Sequence, residues 1–186
     1  IRSINLKEYN HDSWEYYSKS YNSASSREWD IYLIFVEKGL SLLNQSGKLG
    51  YILPNKFLNS KVGENLRHIL AKGKYLEKLL HFGAYQVFYG VTTYTCLLFL
   101  NKHGAQESKI MRYKGTVNEA YKPCTMPEEN IEKWDVFYVS NVTLTASTWD
   151  FSSSASLLEK LRKWPSLGSI AIIYQGTGTR ADKVFL

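Results

Sequence analysis

Three apolar runs of strand length, at 48–53, 75–82 and 93–100, constrain this chain more than any other feature. Between the first and second, Val62, Leu66, Ile69 and Leu70 recur at i, i+4, i+7 and i+8. That is one stripe of an amphipathic helix at 61–72. Between the second and third lies only a glycine-flanked loop, 83–90. A parallel pair of strands needs a crossover of about a dozen residues or more, whereas an antiparallel pair closes over a short loop. The spacing therefore predicts an α/β sheet with helical crossovers, whose second and third strands pair antiparallel. Pro54 closes the first run, as it does where a strand ends.

The flanks extend this pattern. Ser25-Ser26-Arg27-Glu28 has the form of a capping box and introduces a largely apolar stretch, 30–43, read as a helix buried on more than one side. Residues 1–24 lack sustained periodicity and read as irregular or lightly helical. Beyond Gly104, strands are expected at 108–113, 136–139 and 142–144, a helix at 153–163, a strand at 167–175 and a glycine-containing turn at 176–179. Three parts result: 1–146, a linking helix within 147–165, and a second region opening at 166. The chain begins with Ile1 on a loop-like segment and reads as a piece of a longer polypeptide.

Composition excludes several classes. Apolar residues make up 44% of the 186 residues and charged residues 22%, so a packed core is expected and disorder is not. Cys96 and Cys124 form neither a disulfide framework nor paired ligand spacing, and the scattered His11, His68, His81 and His103 give no metal site. No nucleophile elbow supports hydrolase chemistry. With no secretory or membrane-spanning run, a cytoplasmic chain without membrane contact is expected. The net charge of +6 and the 14 Tyr, 8 Phe and 5 Trp suit a polyanionic, base-stacking partner, but equally a solvated lysine-rich surface over an aromatic core.

Four patches, in order, resemble the γ-class adenine-specific DNA methyltransferases, the TaqI-like enzymes that include type IIG restriction–modification proteins. The first is Asp30-Ile31-Tyr32-Leu33-Ile34-Phe35-Val36-Glu37-Lys38-Gly39-Leu40, similar to the helix after the catalytic loop. The second is Gly47-Lys48-Leu49-Gly50-Tyr51-Ile52-Leu53-Pro54-Asn55-Lys56-Phe57-Leu58, similar to the next strand and its exit. The third, Gln86-Val87-Phe88-Tyr89-Gly90-Val91-Thr92-Thr93-Tyr94-Thr95, is similar to the loop beside the target-base pocket. The fourth joins Leu167-Gly168-Ser169-Ile170 to Gln175-Gly176-Thr177-Gly178-Thr179-Arg180, similar to the start of a target-recognition region. The sequence departs from the family in lacking its glycine-rich cofactor loop, its acidic ribose-binding residue and its Asn/Asp-Pro-Pro-Tyr loop, which the family places just before a segment like Ile1-Arg2-Ser3-Ile4-Asn5.

The resemblance implies the distal half of a Rossmann-like, S-adenosylmethionine-dependent methyltransferase sheet with a terminal antiparallel strand pair. It implies methyl transfer to the exocyclic amino group of adenine in double-stranded DNA. The rest of the parent polypeptide would complete the site, leaving this segment inactive alone. The adenine must leave the duplex stack to be reached, and an aromatic face offsets part of that cost. On the family pattern Phe88 is that face, with Tyr89 as the neighbouring alternative, though Phe88 also reads as an ordinary core aromatic. Phe35 and Pro54 are the cofactor contacts, though each also reads as an ordinary core aromatic or strand end. Lys56, Thr92 and Thr93, with Asn55, suit the DNA backbone. Gln175, Arg180 and Lys183, with Thr177 and Thr179, suit base edges and phosphates. Two other functions stay open: a non-catalytic DNA-binding or assembly module of the same shape, and a methyltransferase acting on RNA or protein.

Overall fold

The computed structural model describes residues 10–26, 28–88, 93–115, 127, 130–151, 160–161 and 163–172. The chain divides into two units, Ile1–Ser152 and Ser153–Leu186.

In the first unit the opening segment is more regular than its sequence suggests. Helix α1 (His11–Ser20) starts on Asn10, whose side chain accepts from the Ser13 N–H, and carries Asp12 in its first turn and Lys19 in its last. It buries none of its own residues. Instead Trp14 stacks on Trp29 with centroids 6.4 Å apart, and Tyr17 meets Trp29 edge-on. Aromatic contact takes the place of apolar periodicity here, which is why a helical stripe was not visible.

Helix α2 (Ile31–Leu42) begins at Asp30, not at the Ser25 box. The Ser25 hydroxyl turns back to the Asn22 carbonyl and closes a short 3-10 turn, Asn22–Ala24. That turn is held from α2, where the Glu37 carboxylate accepts from the Asn22 and Ser23 N–H groups. Nor is α2 buried on several sides. Leu33, Ile34, Val36 and Leu40 face the core, while Ile31, Phe35 and Leu42 stay exposed.

Strands β1 (Lys48–Pro54), β2 (Leu76–His81), β3 (Thr95–Asn101), β4 (Glu107–Tyr113) and β5 (Trp134–Ser140) form one five-stranded sheet in the order β1-β3-β2-β4-β5. As the loop length requires, β2 and β3 pair antiparallel. The reversed strand β3 inserts between β1 and β2, which run the same way across helix α3 (Glu64–Lys72). Strand β4 joins β2 in parallel and β5 closes antiparallel on β4. The carboxyl ends of β1, β2 and β4 therefore share one edge of the sheet.

Most of the buried core lies on one face, where Leu33, Val36 and Leu40 of α2 and Leu66 and Leu70 of α3 meet Leu53, Leu79, Leu98 and Ile110. A second, smaller cluster joins Leu80, Phe82, Tyr85, Met111, Tyr113 and Trp134.

Among the described residues, 141–143 and 167–172 do not form the strands expected there. Residues 141–143 form a turn because the Asn141 amide is buried and saturated: it donates to the carbonyls of Leu76 and Ala105, each at 2.8 Å, and its oxygen bonds the Ser108 hydroxyl. In the second unit, Leu167–Ile170 is a single helical turn, α4, in which the Ala171 N–H reaches the Leu167 carbonyl at 2.9 Å. Most of the expected helix at 153–163 and all of 173–186 lie outside the described residues.

Candidate functional site

The shared carboxyl edge gathers chain exits that the sequence keeps apart. Strand β1 leaves through Pro54 into a 3-10 turn, Asn55–Leu58, whose Phe57 and Leu58 anchor in the core while Lys56 faces solvent. Strand β2 leaves through His81, Phe82 and Gly83, and β3 enters after the exposed Thr93 and Tyr94. The Asn55 N–H donates to the Tyr94 carbonyl at 2.9 Å, and the Asn55 side-chain amide donates to the Gly83 carbonyl at 3.3 Å. Asn55 thus ties the exit of β1 to both ends of the loop between β2 and β3.

That loop is fixed again from beneath. Gly83 has φ +60, in the left-handed region where glycine carries no side-chain penalty, and its N–H donates to His81 Nδ1 at 3.0 Å. Two residues on, Tyr85 is buried, with its N–H on the Phe82 carbonyl and its ring edge-on to Tyr113 at 4.9 Å. Val87 also packs against this aromatic group. The chain then turns outward and leaves Phe88 45% exposed. The ring is presented to solvent from an anchored base.

Phe35 is likewise outward, at 60% exposed, on a helix whose opposite face is buried. Helix α2 runs back along β1. A Cβ on Gly39 would lie 2.9 Å from the Leu49 side chain, and Tyr32, whose hydroxyl burial pushes well above the usual phenol range, approaches the Phe57 backbone. This places the first turns of α2 at the carboxyl edge. Core packing, one of the two readings of Phe35 from sequence, does not describe it.

Burial, and next the charge of Arg112, hold His81 below its ordinary imidazole value, with Asp150 opposing. A neutral ring leaves Nδ1 able to accept from Gly83. Arg112 is itself paired with Asp135 across β4 and β5. None of this was legible in the sequence, because partners on β2, β4 and β5 meet only once the register is set.

Arg67 was also missed. It is 2% exposed on α3, and no carboxylate meets it in the described hydrogen bonds. Its Nε reaches the carbonyls of Ala146 and Ser147, each at 2.9 Å, and Nη1 bonds the carbonyls of Ser60 and Phe57. A charge saturated by backbone carbonyls can be buried at tolerable cost. Here it holds the turn after Pro54 against α3.

Pro54 and Lys56 at the exit of β1, Thr93 before β3 and the loop that carries Phe88 thus lie at one edge of the sheet, while Phe35 is on the outward side of α2. Tyr89, Thr92, Thr177, Thr179, Gln175, Arg180 and Lys183 lie outside the described residues. No helix among the described residues is long and apolar enough to cross a membrane.

Residues 1–88 match the Eco57I restriction-modification methylase family. The match takes in α2, β1 and its exit, and ends at Phe88. The chain is 33% identical to the Type II restriction enzyme and methyltransferase RM.Eco57I of Escherichia coli, over 91% of this chain and 17% of that protein. It is 24% identical to the Type II methyltransferase M.PaeR7I of Pseudomonas aeruginosa, over 91% of this chain and 31% of that protein. It therefore spans less than a third of either curated relative. Among solved structures, the type IIG restriction endonuclease BpuSI superposes with TM-score 0.54 at 12% identity, covering 88% of this chain and 21% of that one. A type I modification subunit from Vibrio vulnificus YJ016 superposes with TM-score 0.54 at 14% identity, over 70% and 34%. At such identities the likeness is one of fold, an α/β sheet with flanking helices shared with these two proteins.

Proposed function

We propose that this chain is part of the catalytic domain of an adenine-specific DNA methyltransferase in a restriction–modification system, with residues 147–165 as a linker and 166–186 opening its target-recognition region. The observation that carries the reading is Phe88: an aromatic ring held half exposed at the carboxyl edge, where open α/β sheets bind ligands, on a loop anchored from below.

The residues present suit the family's cofactor in one respect: Phe35 offers an exposed aromatic face on α2, and β1 ends at Pro54 on the carboxyl edge, so each can meet a ligand without disturbing the core. Phe35 and Pro54 would hold S-adenosylmethionine, which supplies an electrophilic methyl group when bound. This chain's own contribution is placement. The Phe88 ring offers stacking surface to an adenine lifted from the duplex, which lowers the cost of exposing that base and presents its amino group in one plane. Lys56 and Thr93 lie at the carboxyl edge, and with Thr92, assigned from the sequence alone, they would meet phosphates, which position without reading sequence. Gln175, Arg180 and Lys183 are assigned to the recognition region.

The test uses the full-length polypeptide that bears this chain, duplex DNA and S-adenosylmethionine with a labelled methyl group. Label recovered as N6-methyladenine is the expected product. Loss of one base–aromatic stack, about 1–3 kcal/mol, predicts that Phe88→Ala lowers kcat/KM by about 5- to 150-fold while Phe88→Trp keeps most of it. Label in cytosine, RNA or protein refutes the adenine-DNA assignment. Tight duplex binding without transfer or cofactor binding points to a DNA-binding module of the same shape.

A further inference from the structure

We propose that Asn55 and His81 are positioning residues, which grip the peptide groups on either side of the Gly83 Cα and so fix the loop that presents Phe88. The inference rests on the methyltransferase reading above and goes beyond it, since neither residue touches the flipped base or cofactor in that reading.

The geometry is specific. Gly83 is the only hinge-like position between the end of β2 and Phe88 with positive φ, and its Cβ position would be open space. The Tyr85 N–H closes the turn on the Phe82 carbonyl at 3.0 Å. Two further hydrogen bonds tie that turn to the strands beside it: the Asn55 amide to the Gly83 carbonyl at 3.3 Å, and the Gly83 N–H to His81 Nδ1 at 3.0 Å. Asn55 belongs to the turn after β1 and His81 to the end of β2, strands that β3 separates. The clamp thus spans three strands and sets the height at which the loop leaves the sheet. Tyr85 then fixes the direction by its burial against Tyr113. A catalytic surface displaced by a fraction of an ångström loses much of its effect, so a clamp two elements away from the base acts on turnover.

The test pairs two measurements in the full-length polypeptide. Asn55→Leu keeps the side chain's shape but removes the donor, and His81→Phe removes the acceptor. His81→Asn keeps an acceptor near the Nδ1 position. Loss of one hydrogen bond predicts amide exchange at 83–88 about tenfold faster in Asn55→Leu and His81→Phe, near wild type in His81→Asn, and no change in exchange of β2 and β3. Methyl transfer should fall about tenfold in kcat in the first two variants, with KM for cofactor unchanged, and recover in His81→Asn. Unchanged exchange at 83–88 overturns the clamp. Faster exchange with unchanged kcat overturns its role in the reaction. Absence of transfer by the wild-type protein sinks the underlying function instead, and exchange still decides whether the clamp exists.

Discussion

At His81 a ring nitrogen accepts from a backbone N–H, so the hydrogen bond survives only while the imidazole is neutral. Burial and Arg112 favour that state, and Asp150 is the opposing charge. The sign follows. The folded value is depressed below the unfolded one near 6.5, so the stabilising effect is complete above that pH. It is lost as pH falls from there through the folded value. Thermal unfolding of the wild type should weaken more steeply than that of His81→Asn between neutral and mildly acidic pH. Parallel curves for the two would show that His81 is not the titrating group. Arg67 makes a contrasting case. Replacing it with Met keeps much of the volume but removes the Arg67 donors from the carbonyls of Phe57, Ala146 and Ser147, while Ser60 keeps the Gly63 N–H. At about 1–3 kcal/mol per buried group left unmade, partly relieved by water, a loss of about 3–5 kcal/mol is expected in urea unfolding. A loss under about 1 kcal/mol would mean those carbonyls find other partners. From sequence Arg67 looked like any helix cation, and its acceptors at 146–147 lie far along the chain.

The elements divide by how much of their cause is local. The three core strands and α3 were legible because long apolar runs and a regular stripe leave few alternatives, and the antiparallel return of β3 followed from loop length alone. The capping box at Ser25 misled because Glu28 sits three residues on by chance, while the real start at Asp30 has no side-chain cap bond. The 142–144 segment has strand-like residues, but the hydrogen-bond demand of Asn141 fixes a turn there. At the candidate site, Phe88 and Pro54 were assigned through motif order, whereas the Asn55–Gly83–His81 hydrogen bonds were hidden because they depend on register. Gly63 shows the same dependence on packing. It has ordinary helical-region backbone, yet a Cβ there would fall 2.1 Å from the Phe57 carbonyl oxygen. Backbone on both sides cannot give way cheaply, so Gly63→Ala should destabilise by about 2–3 kcal/mol and loosen the Asn55–Leu58 turn with it. A neutral effect on the unfolding midpoint would show that α3 can slide away from the turn.

Across the first unit, the two faces of the sheet are unequally covered. Among the described residues, helices α2 and α3 close one face, and the aromatic cluster shields the carboxyl end of the other. On that second face the register sets Ile52 opposite Leu97, Leu97 opposite Leu80, Leu80 beside Met111 and Met111 opposite Val136. This is a continuous apolar row across all five strands, buried at Leu80 and Met111 but exposed by 49% at Ile52 and 38% at Val136. Strand β1 at the end of the row has no partner on its outer side among the described residues. An apolar face running to an unpaired strand edge is the combination that promotes association between copies. The 186-residue chain, prepared by itself, is therefore expected to self-associate with rising concentration in sedimentation velocity. A charge on the edge opposes both strand pairing and apolar contact, so Ile52→Lys should shift the distribution towards monomer with the circular dichroism spectrum unchanged. A wild-type chain that stays folded and monomeric throughout would show that the row is already too well shielded to drive association. Dimers undiminished by Ile52→Lys would move the contact to the outward stripe of α2, where Ile31, Phe35 and Leu42 are exposed.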